Sequence, residues 1–197
     1  MTTLLLCSAS PRRREMIGRL GVPFEVVAPD VDESRRPGES IREFVRRVPE
    51  DKARAGLRKK RADEGTQPSP HLALAADTIV VVGGEILGKP RDHDDAARML
   101  RLLAGAEHEV LTGVTVAGET ARTITVSTTV RFRPMTEAQI RWLADSGDGD
   151  DKAGAYGLQG LAGMFVERVD GSVSNVVGLP MAETVELLAS SGLRLPW

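Results

Sequence analysis

The chain has 197 residues, of which 41% are hydrophobic, and its formal net charge at pH 7 is −2. This composition is typical of an ordinary soluble core, and the charge lacks the basic excess expected of a protein that binds nucleic acid in bulk. The single cysteine, Cys7, excludes an internal disulfide, and no apolar run has membrane-spanning length. We therefore expect a cytoplasmic protein with no secretory signal.

The first predicted elements are a buried strand at residues 4–7 and the helix that follows it. Ser10 fits the N-cap of this helix, and Pro11 fits its first position. Arginines then occupy residues 12–14, although a helix N-terminus favours acidic side chains. Two interpretations stay open: a solvated basic helix end, or a polyanion site in which guanidinium groups and free amides bind phosphate.

A second short strand at residues 24–27 leads into an acidic loop that contains Asp30, Asp32 and Glu33. Carboxylates this close together repel one another unless cations or basic groups relieve them. Their hard oxygen atoms suit Mg²⁺ or Mn²⁺. The alternative is a solvated turn.

A helical stretch is expected from Ser40, and Pro49 is expected to break or restart it. This places Lys52 in the first turn of the restarted helix. The basic residues 59–61 are interpreted as a solvated face. A polar loop at residues 66–70 then leads into the next strand.

The strand at residues 72–82 is apolar except at Asp77 and Thr78. An unpaired carboxylate inside a buried strand is costly, so Asp77 must be neutralised, paired or bound to a metal. We favour a functional aspartate over a structural one. The glycines at residues 83–84 predict a two-residue hairpin, which sets Lys89 opposite Thr78 and returns a cation beside the acid.

The remaining segments alternate between helices and strands. They are a helix between Asp92 and Gly105, a strand pair at residues 110–116 and 124–132, a helix with a Thr136/Gln139 capping box, a glycine-rich loop at residues 147–160, a strand at 165–169 and a last helix from Pro180.

Taken in order, these pieces resemble the Maf family of nucleoside triphosphate pyrophosphatases. The matching segments are residues 8–13, 32–33, 52–53, 77–78, 87–90, 112–114, 151–160 and 175–180. No single segment is decisive, but the ordered set spans nearly the whole chain and is specific.

The resemblance implies an α/β fold with two lobes around an elongated mixed β-sheet and an active-site cleft between the lobes. Residues 1–197 would then form a single Maf-like domain. The implied reaction is hydrolysis of the α–β phosphate bond of a nucleoside triphosphate, which gives a monophosphate and pyrophosphate and uses a divalent cation, Mg²⁺ or Mn²⁺. The expected partner is a small-molecule nucleotide, with no nucleic acid and no membrane, and the family suggests a homodimer.

The resemblance also assigns roles to single residues. Asp77 matches the proposed general base and, with Glu33, is expected to hold the metal. The phosphate-contacting positions are matched by Ser10, Arg13, Lys52 and Lys89. The dTTP/UTP branch of the family carries the residue types found here at Arg12, Thr78 and Gln159, so we expect dTTP, UTP or modified pyrimidine nucleotides as substrates.

The chain departs from the family pattern in three places: Pro49 stands where alanine is frequent, Val173 stands where an aromatic residue is common, and residues 147–150 are more acidic and glycine-rich than usual. Two other functions compete with the main interpretation. One is a nucleotide-binding regulator of cell division or septum formation that has no turnover. The other is a purine-preferring pyrophosphatase of the ITP/XTP type. A substrate panel separates all three.

Overall fold

Short apolar runs and amphipathic segments alternate along the chain, and they fold into a mixed α/β structure. The computed structural model describes residues 2–64 and 71–197, so the polar loop expected at residues 66–70 lies outside the described residues. The strands are β1 (Thr3–Leu6), β2 (Phe24–Val26), β3 (His71–Val82), β4 (Glu85–Leu87), β5 (Glu107–Ala117), β6 (Ala121–Phe132) and β7 (Val166–Asp170). The helices are α1 (Pro11–Gly18), α2 (Ile41–Glu64), α3 (His93–Leu103), α4 (Glu137–Asp145), α5 (Val173–Val177) and α6 (Met181–Ser190).

The strands pair in the order β2-β1-β3-β5-β6-β7, and β4 pairs with β3. Strand β1 is parallel to both β2 and β3, whereas the β3–β4 and β6–β7 pairs are antiparallel. The mixed α/β fold expected from the sequence is therefore confirmed. Within the described residues, no helix combines the length and the apolar composition of a membrane span.

The chain divides into two units. The first consists of Met1–Asp77, Thr112–Thr125 and Gly178–Trp197, and the second consists of Thr78–Leu111 and Val126–Val177. Asp77 and Thr78 thus fall on either side of the division, although they are neighbours in β3.

In the first unit, α1 begins as the sequence predicts. Pro11 is its first residue, and the Ser10 hydroxyl accepts a hydrogen bond from the backbone N–H of Arg13 at 3.4 Å. Gly21 follows the helix with a φ of 69°, a left-handed conformation that glycine adopts without strain. Cap and stop signals in the local sequence are sufficient to define this helix.

Helix α2 contradicts the expected break at Pro49, because it runs without interruption from Ile41 to Glu64. A proline inside a helix removes one hydrogen bond and crowds the carbonyl four residues earlier, which here belongs to Val45. Gly113 of β5 lies directly against that carbonyl, since a Cβ atom at this position would overlap the Val45 oxygen. The missing side chain provides the space that lets the helix continue.

In the second unit, α3 and α4 cover a core that includes Leu100, Leu103, Phe132 and Tyr156. Each helix begins at its expected cap. The Asp92 carboxylate accepts from the backbone N–H of Asp95 at 2.7 Å, and Thr136 and Gln139 form the predicted capping box.

The β3–β4 hairpin turns at residues 83–84, with Val82 opposite Glu85 and Val80 opposite Leu87. This register confirms the two-residue loop. The pairing ends at Leu87, so the predicted opposition of Lys89 and Thr78 is not part of the hydrogen-bonded ladder.

Candidate active site

Three of the predicted site residues meet at one ammonium group. Lys52 Nζ lies 2.8 Å from Asp77 Oδ1 and 2.8 Å from Glu33 Oε2. The three side chains come from α2, from β3 and from the segment between β2 and α2. Asp77 is only 14% exposed and Lys52 only 10% exposed, so the buried carboxylate is paired, as its position inside an apolar strand requires.

Close packing of α2 on β1 explains why Lys52 reaches Asp77. Gly56 lies one helical turn after Lys52 and therefore shares its face of the helix. A Cβ atom at Gly56 would overlap the sulfur of Cys7, the buried residue that follows β1. Glycine thus allows the lysine-bearing face of α2 to approach the sheet. Burial raises the pKa of the Cys7 thiol to about 12, which agrees with its interpretation as a core residue.

Arg13 lies close enough to the same carboxylates to interact with their charges. Its Nε donates to the Gly178 carbonyl at 2.8 Å, and its Nη1 donates to the Ser8 hydroxyl at 3.5 Å. Burial lowers the pKa of Arg13, and the negative charges of Asp77 and Glu33 oppose that decrease. Arg13 is therefore a partly buried cation that hydrogen bonds hold in place, and it is not part of a solvated helix end.

The other residues at the start of α1 range from half-buried to exposed. Ser10 and Arg12 are half-buried, and Arg14 is exposed. The first turn of α1 contains no acidic residue, so the amides and cations here present positive potential to an anion. The arrangement suits a phosphate group.

The carboxylates of Glu33 and Asp77 also fit a metal that binds together with its substrate. Both lie beside the same Lys52 ammonium, and each keeps a second hard carboxylate oxygen; Mg²⁺ is commonly held by one or two carboxylates plus substrate phosphates and water. No group of three or more histidine, cysteine or acidic side chains within residues 2–64 and 71–197 could hold a metal alone. The protein pair therefore needs additional ligands from substrate and solvent.

The other predicted site residues belong to the second unit. Thr78 is half-buried in β3, Lys89 is exposed shortly after β4, and Gln159 is exposed in the glycine-rich loop. The N–H of Gly154 donates to the carbonyl of Gly88 at 3.0 Å. This bond joins the loop that carries Gln159 to the segment that carries Lys89.

Two further contacts fix the same loop. Gly154 has a φ of 72°, and a Cβ atom there would lie 3.1 Å from the Val80 side chain. The Tyr156 hydroxyl and His108 Nε2 are 2.8 Å apart, inside an edge-to-face cluster with Phe132. Gln159 therefore follows a stretch of backbone that is held on the core.

No motif in the sequence assigns a role to Arg47 or Glu39. Arg47 contacts Glu39 through two hydrogen bonds of 2.6 and 3.0 Å, and both side chains are nearly buried. The spacing of Arg47 and Asp51 on α2 is a recognisable helical pair. The contact with Glu39 has no such signal, because it depends on the path of the loop before the helix.

Comparisons with known proteins agree over almost the full length of the chain. A family model described as "Maf-like protein" matches residues 3–191. The dTTP/UTP pyrophosphatase of Anaeromyxobacter sp. (strain Fw109-5) is 52% identical, over 98% of this chain and 92% of the relative. The dTTP/UTP pyrophosphatase of Escherichia coli O157:H7 is 46% identical, over 96% of this chain and 93% of the relative.

A solved structure, the nucleoside-triphosphatase / dITP/XTP pyrophosphatase from Mycobacterium abscessus, is similar over 98% of both chains. Its sequence identity is 15% and its TM-score is 0.43. This similarity is too low to support an argument about the present chain.

Proposed function

This chain belongs to the Maf family, and we propose that it is a nucleoside triphosphate pyrophosphatase that acts on dTTP and UTP. In this proposal the whole chain is a single Maf-like domain. The proposal is supported by relatives named dTTP/UTP pyrophosphatase that are 46–52% identical over more than nine-tenths of each chain. The structural observation that carries it is the contact of Lys52 with both Glu33 and Asp77. The reaction cleaves the bond between the α- and β-phosphates and releases a nucleoside monophosphate and pyrophosphate.

We assign the attacking water to Asp77. A carboxylate at this position can orient a water molecule and accept its proton. Asp77 Oδ1 accepts from Lys52 at 2.8 Å, so we assign the water to the second carboxylate oxygen. A base placed in this way contributes roughly 10²–10⁴-fold to a reaction rate.

We assign the divalent cation to Glu33 and Asp77. When bound, Mg²⁺ or Mn²⁺ polarises a phosphoryl oxygen and stabilises negative charge as it develops. Arg13 and Lys52 hold the triphosphate and neutralise the charge that moves onto the leaving pyrophosphate. We assign further phosphate contacts to Ser10 and Lys89.

Base selection is assigned to Arg12, Thr78 and Gln159. Their donors and acceptors are of the kind that pair with the edge of a pyrimidine. A wrong base would leave such groups unpaired, and an unpaired polar group discriminates strongly between substrates. The proposal therefore includes modified pyrimidine nucleotides that keep the same edge.

A nucleotide panel tests the proposal. The pure protein is incubated with dTTP, UTP, CTP, ITP or XTP and Mg²⁺ or Mn²⁺ in ¹⁸O-labelled water, and the products are identified by mass spectrometry. We expect pyrophosphate and a monophosphate from dTTP and UTP. Binding of UTP without turnover would instead indicate a regulator. A preference for ITP or XTP would indicate a purine-type enzyme. Release of orthophosphate would show that a different bond is cleaved.

A further inference from the structure

We propose that Arg47 is a positioning residue that fixes the Glu33 carboxylate relative to Lys52 and thereby sets the affinity of this carboxylate for the divalent cation. The inference rests on the proposed function, because it takes Glu33 as a metal ligand. Arg47 contacts none of the reacting groups. It acts through the residues next to Glu33 and Lys52, namely the Ser34 carbonyl and the Asp51 side chain.

Arg47 donates hydrogen bonds to three residues, two in the segment before α2 and one in α2 itself. Its Nε and Nη2 donate to the two carboxylate oxygens of Glu39 at 2.6 and 3.0 Å. Its Nη1 donates to Asp51 Oδ2 at 3.2 Å, and Nη2 also donates to the Ser34 carbonyl at 2.8 Å. The Arg47 side chain is 13% exposed and that of Glu39 is 8% exposed.

Two of these acceptors are the chain neighbours of the Glu33–Lys52 ion pair. Ser34 follows Glu33 in the chain, and Asp51 precedes Lys52. One guanidinium group therefore holds the backbone next to one partner and the side chain next to the other. The 2.8 Å distance between Lys52 Nζ and Glu33 Oε2 depends on this arrangement, because Glu33 itself is 55% exposed and lies outside any helix or strand.

Further hydrogen bonds within the segment from Ser34 to Glu39 hold its two ends close to Arg47. The Ser34 N–H donates to Asp32 Oδ1 at 2.8 Å, and the Arg36 N–H donates to Glu39 Oε2 at 3.0 Å. At its end, Ser40 and Glu43 bond reciprocally at the start of α2. The segment from Ser34 to Glu39 is thus a closed, bonded loop whose two ends both contact Arg47.

An ordinary surface ion pair does not account for this geometry. Exposed pairs contribute little to stability, whereas Arg47 forms a bidentate, nearly buried pair and also binds a backbone carbonyl. Hydrogen bonds from Arg47 lower the pKa of Glu39 to about 2. Only the planar, five-donor guanidinium can serve all of these acceptors together, and a lysine at this position cannot.

The test compares Arg47→Lys with wild type and with Arg98→Lys as a matched control. Arg98 also bridges two carboxylates, contacting Asp95 at 2.9 Å and Glu85 at 2.7 Å, and Asp95 is 5% exposed. Titration calorimetry with MnCl₂ in the presence of saturating α,β-methylene-UTP, which supplies phosphate ligands and resists cleavage, is expected to show Mn²⁺ binding about 10-fold weaker in Arg47→Lys and unchanged in Arg98→Lys, since mutation of a residue that orients a metal ligand costs roughly 10–100-fold.

Kinetics provide a second readout that a merely structural role would not change. The Mn²⁺ concentration that half-activates UTP hydrolysis is expected to rise about 10-fold in Arg47→Lys. The kcat at saturating Mn²⁺ is expected to stay near the wild-type value, because Asp77 and Lys52 keep their contact. Glu33→Gln serves as the reference for complete loss of the ligand.

A double variant controls for folding, because Arg47→Lys leaves the nearly buried Glu39 poorly paired. Arg47→Met combined with Glu39→Gln removes both charges and still removes the contact with Ser34, so it should show the same weakened Mn²⁺ binding. Folded variants that bind Mn²⁺ as tightly as wild type would overturn the inference, and so would unfolding of both variants. Weakened Mn²⁺ binding in a protein that fails to hydrolyse UTP would refute the proposed function alone.

Discussion

Lys52 Nζ lies 2.8 Å from Asp77 Oδ1, and both side chains are at least 86% buried. The pair joins the middle of the longest helix to a carboxylate inside an apolar strand. Burying two charges is favourable only when their geometry and hydrogen bonding are good, so neither partner can be removed without a large effect on the other.

Replacing Lys52 with Met should abolish most activity and also reduce stability. Loss of one partner of a buried pair costs about 3 kcal/mol or more, and loss of a charge that stabilises a phosphoryl transition state costs about 100-fold or more in rate. The matched control is Lys60→Met, since Lys60 also forms a 2.7 Å ion pair, with Glu25. Pyrophosphate release measured well below each variant's unfolding temperature checks the prediction, and equal activity in both variants would refute it.

Replacing Gly113 with Ala should destabilise the protein by about 1–3 kcal/mol, the usual cost of overpacking a core. The new Cβ would overlap the carbonyl oxygen of Val45 in α2, and backbone atoms there cannot move aside cheaply. Gly18→Ala is the control, because it adds a Cβ in open space. Urea unfolding measures both variants, and similar midpoints for the two would contradict the account of how α2 passes Pro49.

His108 should make stability dependent on pH below neutrality. Burial lowers its pKa from 6.5 to about 4, so the unfolded chain binds more protons between these values. The contribution of the neutral, buried His108 to the free energy of unfolding is therefore fully present above pH 6.5. It decreases as the pH falls toward 4, and the total loss over that window is about 3 kcal/mol. His108→Gln should remove this part of the slope. Unfolding curves of both proteins from pH 7 to pH 4 test it, and identical slopes would refute it.

Replacing Gln159 with Ala should change substrate ranking more than the rate on the best substrate. We expect the ratio of kcat/KM for UTP over CTP to change by about 10-fold, which corresponds to about 1.4 kcal/mol. Because Gln159 is exposed in a loop held by Gly154 and Tyr156, its substitution should leave the unfolding midpoint unchanged. A uniform decrease on all nucleotides would remove Gln159 from base selection.

Signals in the local sequence predicted the parts of the structure that local chemistry controls. The caps at Ser10, Asp92 and Thr136 and the hairpin at residues 83–84 are all present. The physical requirement that Asp77 be paired was also correct. Each of these depends on a few neighbouring residues or on the cost of burying one charge.

The partner of Asp77 could not be obtained in the same way. Strand register pointed to Lys89 as the nearby cation, whereas the observed ion pair is with Lys52. Lys52 reaches Asp77 because α2 continues through Pro49 and approaches β1 at Gly56. Both conditions depend on glycines that contact residues distant in sequence, Gly113 against Val45 and Gly56 against Cys7. Local sequence signals do not predict such contacts.

The most direct test of the central claim is the rate of pyrophosphate release from UTP and dTTP by Asp77→Asn, an isosteric change that keeps a hydrogen-bond acceptor for Lys52. We expect a folded protein whose kcat is lower by about 10²–10⁴-fold, the contribution of a positioned general base. Turnover close to that of the wild type would contradict it and would place the chemistry elsewhere in the molecule.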